Sequence, residues 1–328
     1  MKGGLYKPKF TPLSMPDIDS IPKRHDYMID PTGVPSIRSA PIGGITDLRN
    51  AGLYKDQAMD SAYRDGSYSL SEMDHSYGPN AHIIKDPVAW TYLGRLGHPT
   101  TTQPETTDLT RLLYQQLLHV VVAREFPQVV ADYHTRMIAV TPRGRWMGTV
   151  IDPATKVVTV DLARAGMVPS QLCFDVLNRI LPNANVRQDH IVMNRATDAE
   201  QRVTGTDIYG QKIGGDVDDR ILLFPDPMGA TGSSMCSAIS TYKNGGLGTP
   251  QKFICMHLIV TPEYIQRVHA DHPDARIYAL RLDRGLSDPD ILDTLPGTHP
   301  SKECGLNDVQ YIVPGAGGVG ELLNNAEV

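Results

Sequence analysis

Cysteine is scarce in this sequence, and basic residues are not in excess. Only four of the 328 residues are cysteine, and no two of them have the Cys-x-x-Cys spacing of zinc sites and redox motifs. We therefore predict no zinc site, and we name no residue of the sequence as a resident metal ligand. Lysine and arginine number 31 against 37 acidic residues, a formal net charge of -6. That balance argues against a protein that binds nucleic acid through a general basic surface.

Long apolar runs are also missing. No stretch is long enough to span a membrane, and residues 1–7 contain no apolar core of a signal sequence. Three cysteines lie in apolar runs, where a buried free thiol is the expected state: Cys173, Cys236 and Cys255. Nothing in the sequence requires an oxidising compartment. We predict a soluble, cytoplasmic protein that does not contact a membrane.

The first eighty residues differ from the rest in composition. They are rich in proline, glycine, serine, aspartate and tyrosine, and they contain few apolar runs. We predict that residues 1–80 form an extended arm and that residues 81–328 form the folded domain. Four tyrosines favour an arm that packs against protein over a free one: Tyr54, Tyr63, Tyr68 and Tyr77.

Beyond the arm, apolar patterns of strand and helix type alternate. Strands are predicted at 136–140, 157–162, 190–193, 220–224, 252–260 and 275–280. Helices are predicted after Asp108, at about 170–181, at 235–243 and from Pro262. The polar stretch 197–219 fits a hairpin or flap. Alternation of this kind predicts an α/β fold with a mainly parallel central sheet flanked by helices, and ligands bind at the carboxyl ends of such strands.

One loop carries the strongest chemical signal. It follows an apolar strand, precedes a helix, and reads Asp226-Pro227-Met228-Gly229-Ala230-Thr231-Gly232-Ser233-Ser234. Its glycines let the backbone approach a ligand, and its hydroxyls and the N–H groups of the helix start can bind one phosphate. Because a carboxylate repels phosphate, we expect Asp226 to face sugar hydroxyls or a metal ion. The loop therefore suggests a phosphorylated sugar, although alone it is equally typical of an ordinary helix start.

The same nine residues resemble the phosphoribosyl-pyrophosphate (PRPP) loop of uracil phosphoribosyltransferases. Four further segments resemble family motifs and occur in the family's order: 164–167, 193–195, 283–286 and 311–317. The resemblance covers roughly residues 80 to 321. It implies a type I phosphoribosyltransferase fold with a flap hairpin, and conversion of uracil and PRPP to UMP and pyrophosphate.

The resemblance also implies roles for individual residues. Catalytic roles fall to Asp226, Arg164 and Arg195. PRPP would contact Arg164, Arg195, Asp226, Pro227, Met228, Gly229, Ala230, Thr231, Gly232, Ser233 and Ser234. Uracil would contact Ile312, Gly317, Gly318 and Val319, largely through the backbone. Mg²⁺ would accompany PRPP, and the family likeness suggests a homo-oligomer, at least a dimer.

The sequence departs from the family mainly on the base side. Gly318 stands where the family has its first aspartate, Glu321 stands at the second, and Leu322 replaces a basic residue. An insertion lies between about 287 and 307, and residues 196–200 of the flap also differ. In the PRPP loop, Gly229 replaces a leucine and Ser233 a glycine.

Several interpretations follow from these departures. The first is an active enzyme for uracil or a related base, in which Glu321 is a hypothetical substitute for the missing carboxylate. The second is a non-catalytic nucleotide-binding protein that serves as a regulator or structural partner. We favour the enzyme, because an intact PRPP loop is otherwise hard to explain. An RNA-binding regulator is disfavoured, since no cluster of lysine and arginine is present. His190 and His257 lie in apolar strands, and we predict both as core residues.

Overall fold

The computed structural model describes residues 60–197 and 203–326, and it describes their side chains except at 194–197 and 203–207. The strands are β1 (Ala81–Ile83), β2 (Gln128–His134), β3 (Arg145–Ile151), β4 (Lys156–Ala163), β5 (Val186–Thr197), β6 (Val203–Lys212), β7 (Arg220–Pro225), β8 (Met228–Gly229), β9 (Lys252–Val260) and β10 (Arg276–Leu282). The helices are α1 (Pro87–Leu96), α2 (Glu105–Glu125), α3 (Met167–Ile180), α4 (Ser233–Asn244), α5 (Pro262–Asp271), α6 (Pro289–Leu292) and α7 (Val319–Asn324).

Eight strands form one central sheet in the order β1-β10-β9-β7-β4-β5-β6, and the short β8 pairs with β9. Every neighbouring pair is parallel except β5 and β6, which are antiparallel. The strands β2 and β3 form a separate antiparallel pair. The predicted α/β fold with a mainly parallel sheet is confirmed.

Helices cover both faces of the sheet, and each face has its own hydrophobic core. One core contains Leu113 and Leu117 of α2 with Leu177 of α3, and the other contains Ile239 of α4 with Ile265 of α5. The strand β9 is buried from Phe253 to its end. A parallel strand buried on both faces needs a continuous apolar run, which is why its sequence shows no alternation.

The helix predicted after Asp108 begins three residues earlier, at Glu105. Pro104 immediately precedes it, and proline's fixed φ favours a helix start there. Asp108 instead lies in the first turn, where the helix dipole favours a carboxylate. The helix α1 was not predicted, although Asp86 caps it by accepting hydrogen bonds from the N–H groups of Val88 (2.8 Å) and Ala89 (3.3 Å).

The strand predicted at 136–140 is wrong. Residues Arg136–Ala139 form a 3-10 turn, whose start is capped by a 3.2 Å hydrogen bond from the N–H of Met137 to Thr135 Oγ1. The strands β2 and β3 flank this turn. Its apolar residues are exposed, Val140 at 75%, so their pattern does not reflect burial in a sheet.

The predicted flap hairpin is present as β5 and β6. Pairing runs from His190 with Lys212 to Thr197 with Val203, with two register shifts on the way. Residues 198–202 lie outside the described part of the chain, and with them most of the flap segment that departs from the family.

The proposed N-terminal arm is described only from residue 60 onward, so its boundary at residue 80 stays a prediction and Tyr54 lies outside the described residues. Within the described part, Tyr63 meets Trp146 edge-on with ring centroids 5.8 Å apart. The Tyr77 hydroxyl donates to the buried carboxylate of Glu303. These contacts accord with an arm packed against protein at residues 60–80.

Three of the four cysteines are buried free thiols, as predicted: Cys173, Cys236 and Cys255. Burial raises the pKa of the Cys236 and Cys255 thiols to about 12, so both are protonated at neutral pH. In the part of the chain that the structure describes, no helix is both long and apolar enough to cross a membrane.

A buried carboxylate fastens the end of α2 to the sheet. The side chain of Glu125 accepts hydrogen bonds from Lys252 Nζ (3.0 Å), from the Arg276 guanidinium and from the Tyr278 hydroxyl (2.5 Å). Burial acts to raise the pKa of Glu125, but the hydroxyl and the two cations outweigh it and leave that pKa below its usual value. The cluster joins α2 to the first residues of β9 and β10.

We expect Glu125→Gln to lower the free energy of unfolding by about 2–4 kcal/mol, because it leaves two partly buried cations without a counter-charge. Urea unfolding at pH 7 measures the difference. Glu105→Gln is the matched control, since its surface pair with Arg95 predicts a loss of about 1 kcal/mol or less. Equal losses in the two variants would contradict the prediction.

Candidate active site

The backbone of the loop 226–234 is held by β9. Past the end of β7, the Asp226 N–H donates to the Met256 carbonyl at 3.0 Å. The Pro227 carbonyl accepts from the N–H groups of Leu258 (3.0 Å) and Ile259 (3.1 Å), and β8 then continues the parallel pairing. The loop therefore begins at the carboxyl edge of the sheet, where the sequence analysis predicted a ligand site.

A buried histidine holds the first residue of the loop in place. His257 Nδ1 lies 2.5 Å from the Asp226 carbonyl oxygen, and Nε2 lies 2.6 Å from the Tyr264 hydroxyl. Burial lowers the pKa of His257 to about 4, against the opposing effect of the Asp226 carbonyl. The ring is therefore neutral at pH 7, donates from Nδ1 and accepts the Tyr264 hydroxyl at Nε2. His257 is a core residue, as predicted, and it also positions the loop.

Glycine serves two different purposes in this loop. Gly232 has φ +81°, a left-handed conformation that begins α4 and disfavours other residues. At Gly229 the need is space: a Cβ there would lie 2.9 Å from Val260 Cγ1 and 3.1 Å from the Tyr264 ring. The leucine that the family has at position 229 would therefore collide with Tyr264.

Hydroxyl groups surround the start of α4. Thr231 Oγ1 accepts a long hydrogen bond (3.4 Å) from the Ser233 N–H and lies 3.4 Å from Ser233 Oγ. Ser234 follows in the first turn. Thr261 supports the loop from β9's end, donating from its hydroxyl to the Ala230 carbonyl at 2.7 Å. A helix N-terminus with hydroxyls at its rim can hold one phosphate group.

Arg164 follows the end of β4, the sheet neighbour of β7. Gly166 lets this turn fold tightly, since a Cβ there would lie 2.7 Å from the Leu162 nitrogen and 3.1 Å from the Pro225 carbonyl. The turn after β4 and the loop after β7 are thus adjacent. The Arg164 side chain is 54% exposed, and its Nη2 lies 3.5 Å from Glu321 Oε1. Arg195 lies in β5 beside Thr206, and its side chain is outside the described residues.

An ion pair holds the predicted base loop. Asp283, 2% exposed, accepts two hydrogen bonds from Arg281, at 2.6 Å and 2.7 Å. Asp283 also accepts from the Gly315 N–H (2.7 Å), and Arg281 donates to the Gly315 carbonyl (2.9 Å). Both backbone groups of Gly315 are therefore fixed. The sequence analysis placed Asp283 in a family motif but did not predict its ion pair with Arg281. The Arg-x-Asp spacing at the end of β10 could have indicated that pair.

The remaining base-site residues lie where the base loop enters α7. Ile312 and Val319 are buried, and Gly317 has φ +72°. Position 320 contacts the turn after β4, since a Cβ on Gly320 would lie 3.3 Å from Ala165 Cβ. The predicted base site and the Arg164 turn therefore meet at the start of α7.

The insertion between 287 and 307 packs behind the base loop. The Arg284 guanidinium donates to the carbonyls of Leu292 (2.9 Å) and Thr294 (2.7 Å), and the buried Glu303 accepts from the Gly297 N–H at 2.8 Å. The Gly305 carbonyl accepts from the Val313 N–H at 2.8 Å. The insertion thus supports the base loop by direct hydrogen bonding.

His190 is not a core residue, and that prediction was wrong. Its side chain is 49% exposed, and its Nδ1 lies 2.9 Å from Asp161 Oδ2. Only β6 lies beyond β5 in the sheet, so this region has less cover than the central strands; Val192 and Ile208 are also exposed. Burial raises the pKa of the neighbouring Asp161.

The depressed pKa of His257 predicts an acid-sensitive core. The unfolded chain takes up a proton near pH 6.5, whereas the folded chain resists until about pH 4. Stability is therefore fully present above pH 6.5 and declines as the pH falls toward 4. We expect wild type to lose roughly 2–3 kcal/mol more than His257→Asn between pH 7 and pH 4.5 in urea unfolding. Parallel losses in both proteins would contradict this assignment.

Comparisons with known proteins agree with this geometry. The family model for uracil phosphoribosyltransferase matches residues 98–298. A uracil phosphoribosyltransferase from Dictyoglomus thermophilum is 31% identical over 211 residues, covering 64% of this chain and 86% of that protein. One from Rhodococcus jostii is 29% identical over 243 residues, covering 74% of this chain and 96% of that protein.

The fold has counterparts among solved structures. The AQ2163 protein from Aquifex aeolicus aligns with a TM-score of 0.57 and 18% identity, over 76% of this chain and 99% of that chain. At this level of identity the likeness concerns the fold. Since the family model spans more than half of the sequence and relatives align over most of their own length, this chain belongs to the uracil phosphoribosyltransferase family.

Proposed function

We propose that this protein transfers the phosphoribosyl group of PRPP to uracil, releasing UMP and pyrophosphate. The observation that carries the proposal is the meeting of three loops at one edge of the sheet. The turn that carries Arg164 lies against Pro225, the last residue of β7, directly before the loop 226–234. The start of α7, which follows the base loop, lies against the same turn at Gly320. A pyrophosphate, a ribose phosphate and a base would need that adjacency.

The ribose 5′-phosphate is assigned to residues 231–234 and to the N–H groups at the start of α4, where the helix dipole favours an anion. Asp226 accepts hydrogen bonds from the ribose hydroxyls, because its charge would repel the phosphate. Pro227, Met228, Gly229 and Ala230 form the floor between these two groups. Their hydrogen bonds to β9 and Thr261 keep that floor rigid without the ligand.

Pyrophosphate is assigned to Arg164 and Arg195. The Arg164 guanidinium is half exposed and has one long contact to Glu321, so exchanging that contact for phosphate oxygens costs little. A guanidinium matches phosphate oxygens in a two-pronged arrangement. Arg195 lies in the flap hairpin, and its role rests on the sequence motif.

Uracil is assigned to the backbone of Ile312 and of Gly317, Gly318 and Val319. Its edge alternates carbonyl and N–H groups, as a peptide does, so backbone groups can read it. The Arg281–Asp283 pair fixes the adjacent Gly315 before any ligand arrives. Because this backbone is fixed before the base binds, less conformational entropy is lost on binding.

In the reaction, the bond from C1′ to the pyrophosphate oxygen breaks and its electron pair leaves with pyrophosphate. The ribose ring gains oxocarbenium character, and uracil N1 forms the new bond to C1′ as its proton passes to the departing pyrophosphate. Arg164 and Arg195 stabilise the charge that develops on the leaving group. Closure of the β5–β6 hairpin would exclude water, which competes with uracil for C1′.

The donor set fits a magnesium ion that arrives with PRPP. Among the residues described here, no three histidine, cysteine, aspartate or glutamate side chains cluster as a metal site. Mg²⁺ in phosphate sites typically keeps several waters and uses one or two carboxylates with the substrate's phosphates, and Asp226 can supply one. Bound Mg²⁺ would neutralise charge on the pyrophosphate.

A cytoplasmic location and a homo-oligomer, at least a dimer, complete the proposal. Family likeness and sequence composition support both.

The direct test is pyrophosphate release from Mg²⁺-PRPP by the purified full chain, with and without uracil. We expect release that depends on uracil and yields UMP. Release with another pyrimidine alone would overturn the choice of base. Binding of PRPP without release for any base would support a non-catalytic role instead.

Arg164→Ala should lower kcat/KM by about 10²–10³-fold, the usual cost of removing one preorganised charge-stabilising donor. Steady-state rates with varied PRPP measure the loss. Arg95→Ala is the matched control, because Arg95 is also an exposed arginine paired with a glutamate and lies outside the assigned site. A loss below about threefold for Arg164→Ala would contradict its assignment to the leaving group.

A further inference from the structure

Glu321 connects the two halves of the proposed site. It lies in the first turn of α7, and its Oε1 is 3.5 Å from Arg164 Nη2. The Glu321 side chain is 28% exposed, against 54% for Arg164. A single long contact between partly exposed groups typically contributes about 0–1 kcal/mol to stability. The fold therefore does not depend on this carboxylate.

The neighbouring glycine leaves room for that carboxylate. A Cβ at position 318 would lie 2.5 Å from Glu321 Oε2, closer than any real contact. Gly318 has φ -78°, a conformation open to every residue, so its missing side chain does not serve the backbone. The Glu321 carboxylate thus occupies the space that a side chain at position 318 would take.

The same carboxylate faces a cavity of about 450 Å³. Gly317, Gly318 and Glu321 line this cavity, together with His98 and Thr102 from the segment before α2. Cavities of roughly 300–1,000 Å³ are typical of small-molecule sites. Within the described residues, Glu321 is the only acidic side chain that lines this one.

The segment before α2 is held in place by one side chain. Gln103 Nε2 donates to the carbonyls of Leu322 and Leu323, both at 3.0 Å, and its Oε1 accepts from the Thr107 hydroxyl at 2.8 Å. The segment before α2 is therefore fastened to α7. The two segments that line the cavity are therefore joined by hydrogen bonds.

We infer that Glu321 is a specificity-determining residue of the base site, accepting a hydrogen bond from a ring N–H of the pyrimidine. A carboxylate is an acceptor only, so it favours bases with an N–H at that edge and disfavours bases with a lone pair or methyl group there. Arg164 offsets the negative charge of Glu321 until pyrophosphate binds the Arg164 guanidinium in its place. The inference rests on the proposed function, because it names a contact within the same site.

The test compares two ligands that differ in the base. UMP carries the pyrimidine, and ribose 5-phosphate lacks it. Isothermal calorimetry on the full chain measures both without any need for turnover. We expect Glu321→Gln to weaken UMP binding about tenfold or more, the usual effect of losing a hydrogen bond to a charged group, with ribose 5-phosphate affinity unchanged within about twofold.

A relocation variant separates a contact with the base from a structural role. Gly318→Asp alone places two carboxylates against each other and should weaken UMP binding. Combined with Glu321→Ala, the same substitution returns a carboxylate to the vacated space, and we expect UMP affinity within about threefold of wild type. If the double variant binds UMP more tightly than either single variant, the two positions are coupled energetically. Loss of packing alone would not produce such a coupling. Glu105→Gln, in the exposed pair with Arg95, is the matched control.

Each outcome decides between the two proposals. If Glu321→Gln weakens ribose 5-phosphate as much as UMP, or weakens neither, the inference is overturned while the proposed function stands. If wild type binds neither ligand, both fall together. If the double variant stays as weak as Glu321→Ala, the carboxylate's location at the base is refuted.

Discussion

The pairing of β9 with the segment that follows β7 is the constraint on which the site depends. The ladder does not stop where β7 ends: Met256, Leu258 and Ile259 continue to bond residues 226 and 227, and β8 then resumes the parallel register. A loop with many glycines and hydroxyls would otherwise lose much backbone entropy on binding a ligand. Because β9 is buried on both faces, this cost is met during folding, and the loop is shaped before any ligand arrives.

The sequence predicted the features that depend on neighbouring residues. The apolar runs of β7 and β9, the glycine at 232 and the proline that opens α5 each act within a few positions, so their patterns indicate the structure directly. The order of the family motifs added the expectation of a type I phosphoribosyltransferase fold with a flap hairpin. The failures had local causes too: residues 136–140 have the composition of a strand, yet their apolar side chains are exposed in the described structure.

The remaining features join distant parts of the chain, and no local pattern reports them. The bond between His257 and the Asp226 carbonyl spans 31 positions, that between Arg281 and Gly315 spans 34, and the Arg164–Glu321 pair spans 157. Each of these contacts can be predicted only once the order of the strands in the sheet is known. The exposure of His190 could not be predicted from its neighbours in sequence either, because it follows from the position of β5 near the sheet edge.

The departures from the family motifs make physical sense when each is considered with its neighbour in space. Gly229 removes a side chain where the Tyr264 ring needs room, and Gly318 removes one where the Glu321 carboxylate lies. In both cases a larger group lies against the glycine, within 3.1 Å of the place that a Cβ would take. Each of the two glycines thus has a larger neighbour in space, and at position 318 that neighbour is the carboxylate on which the inference about the base depends.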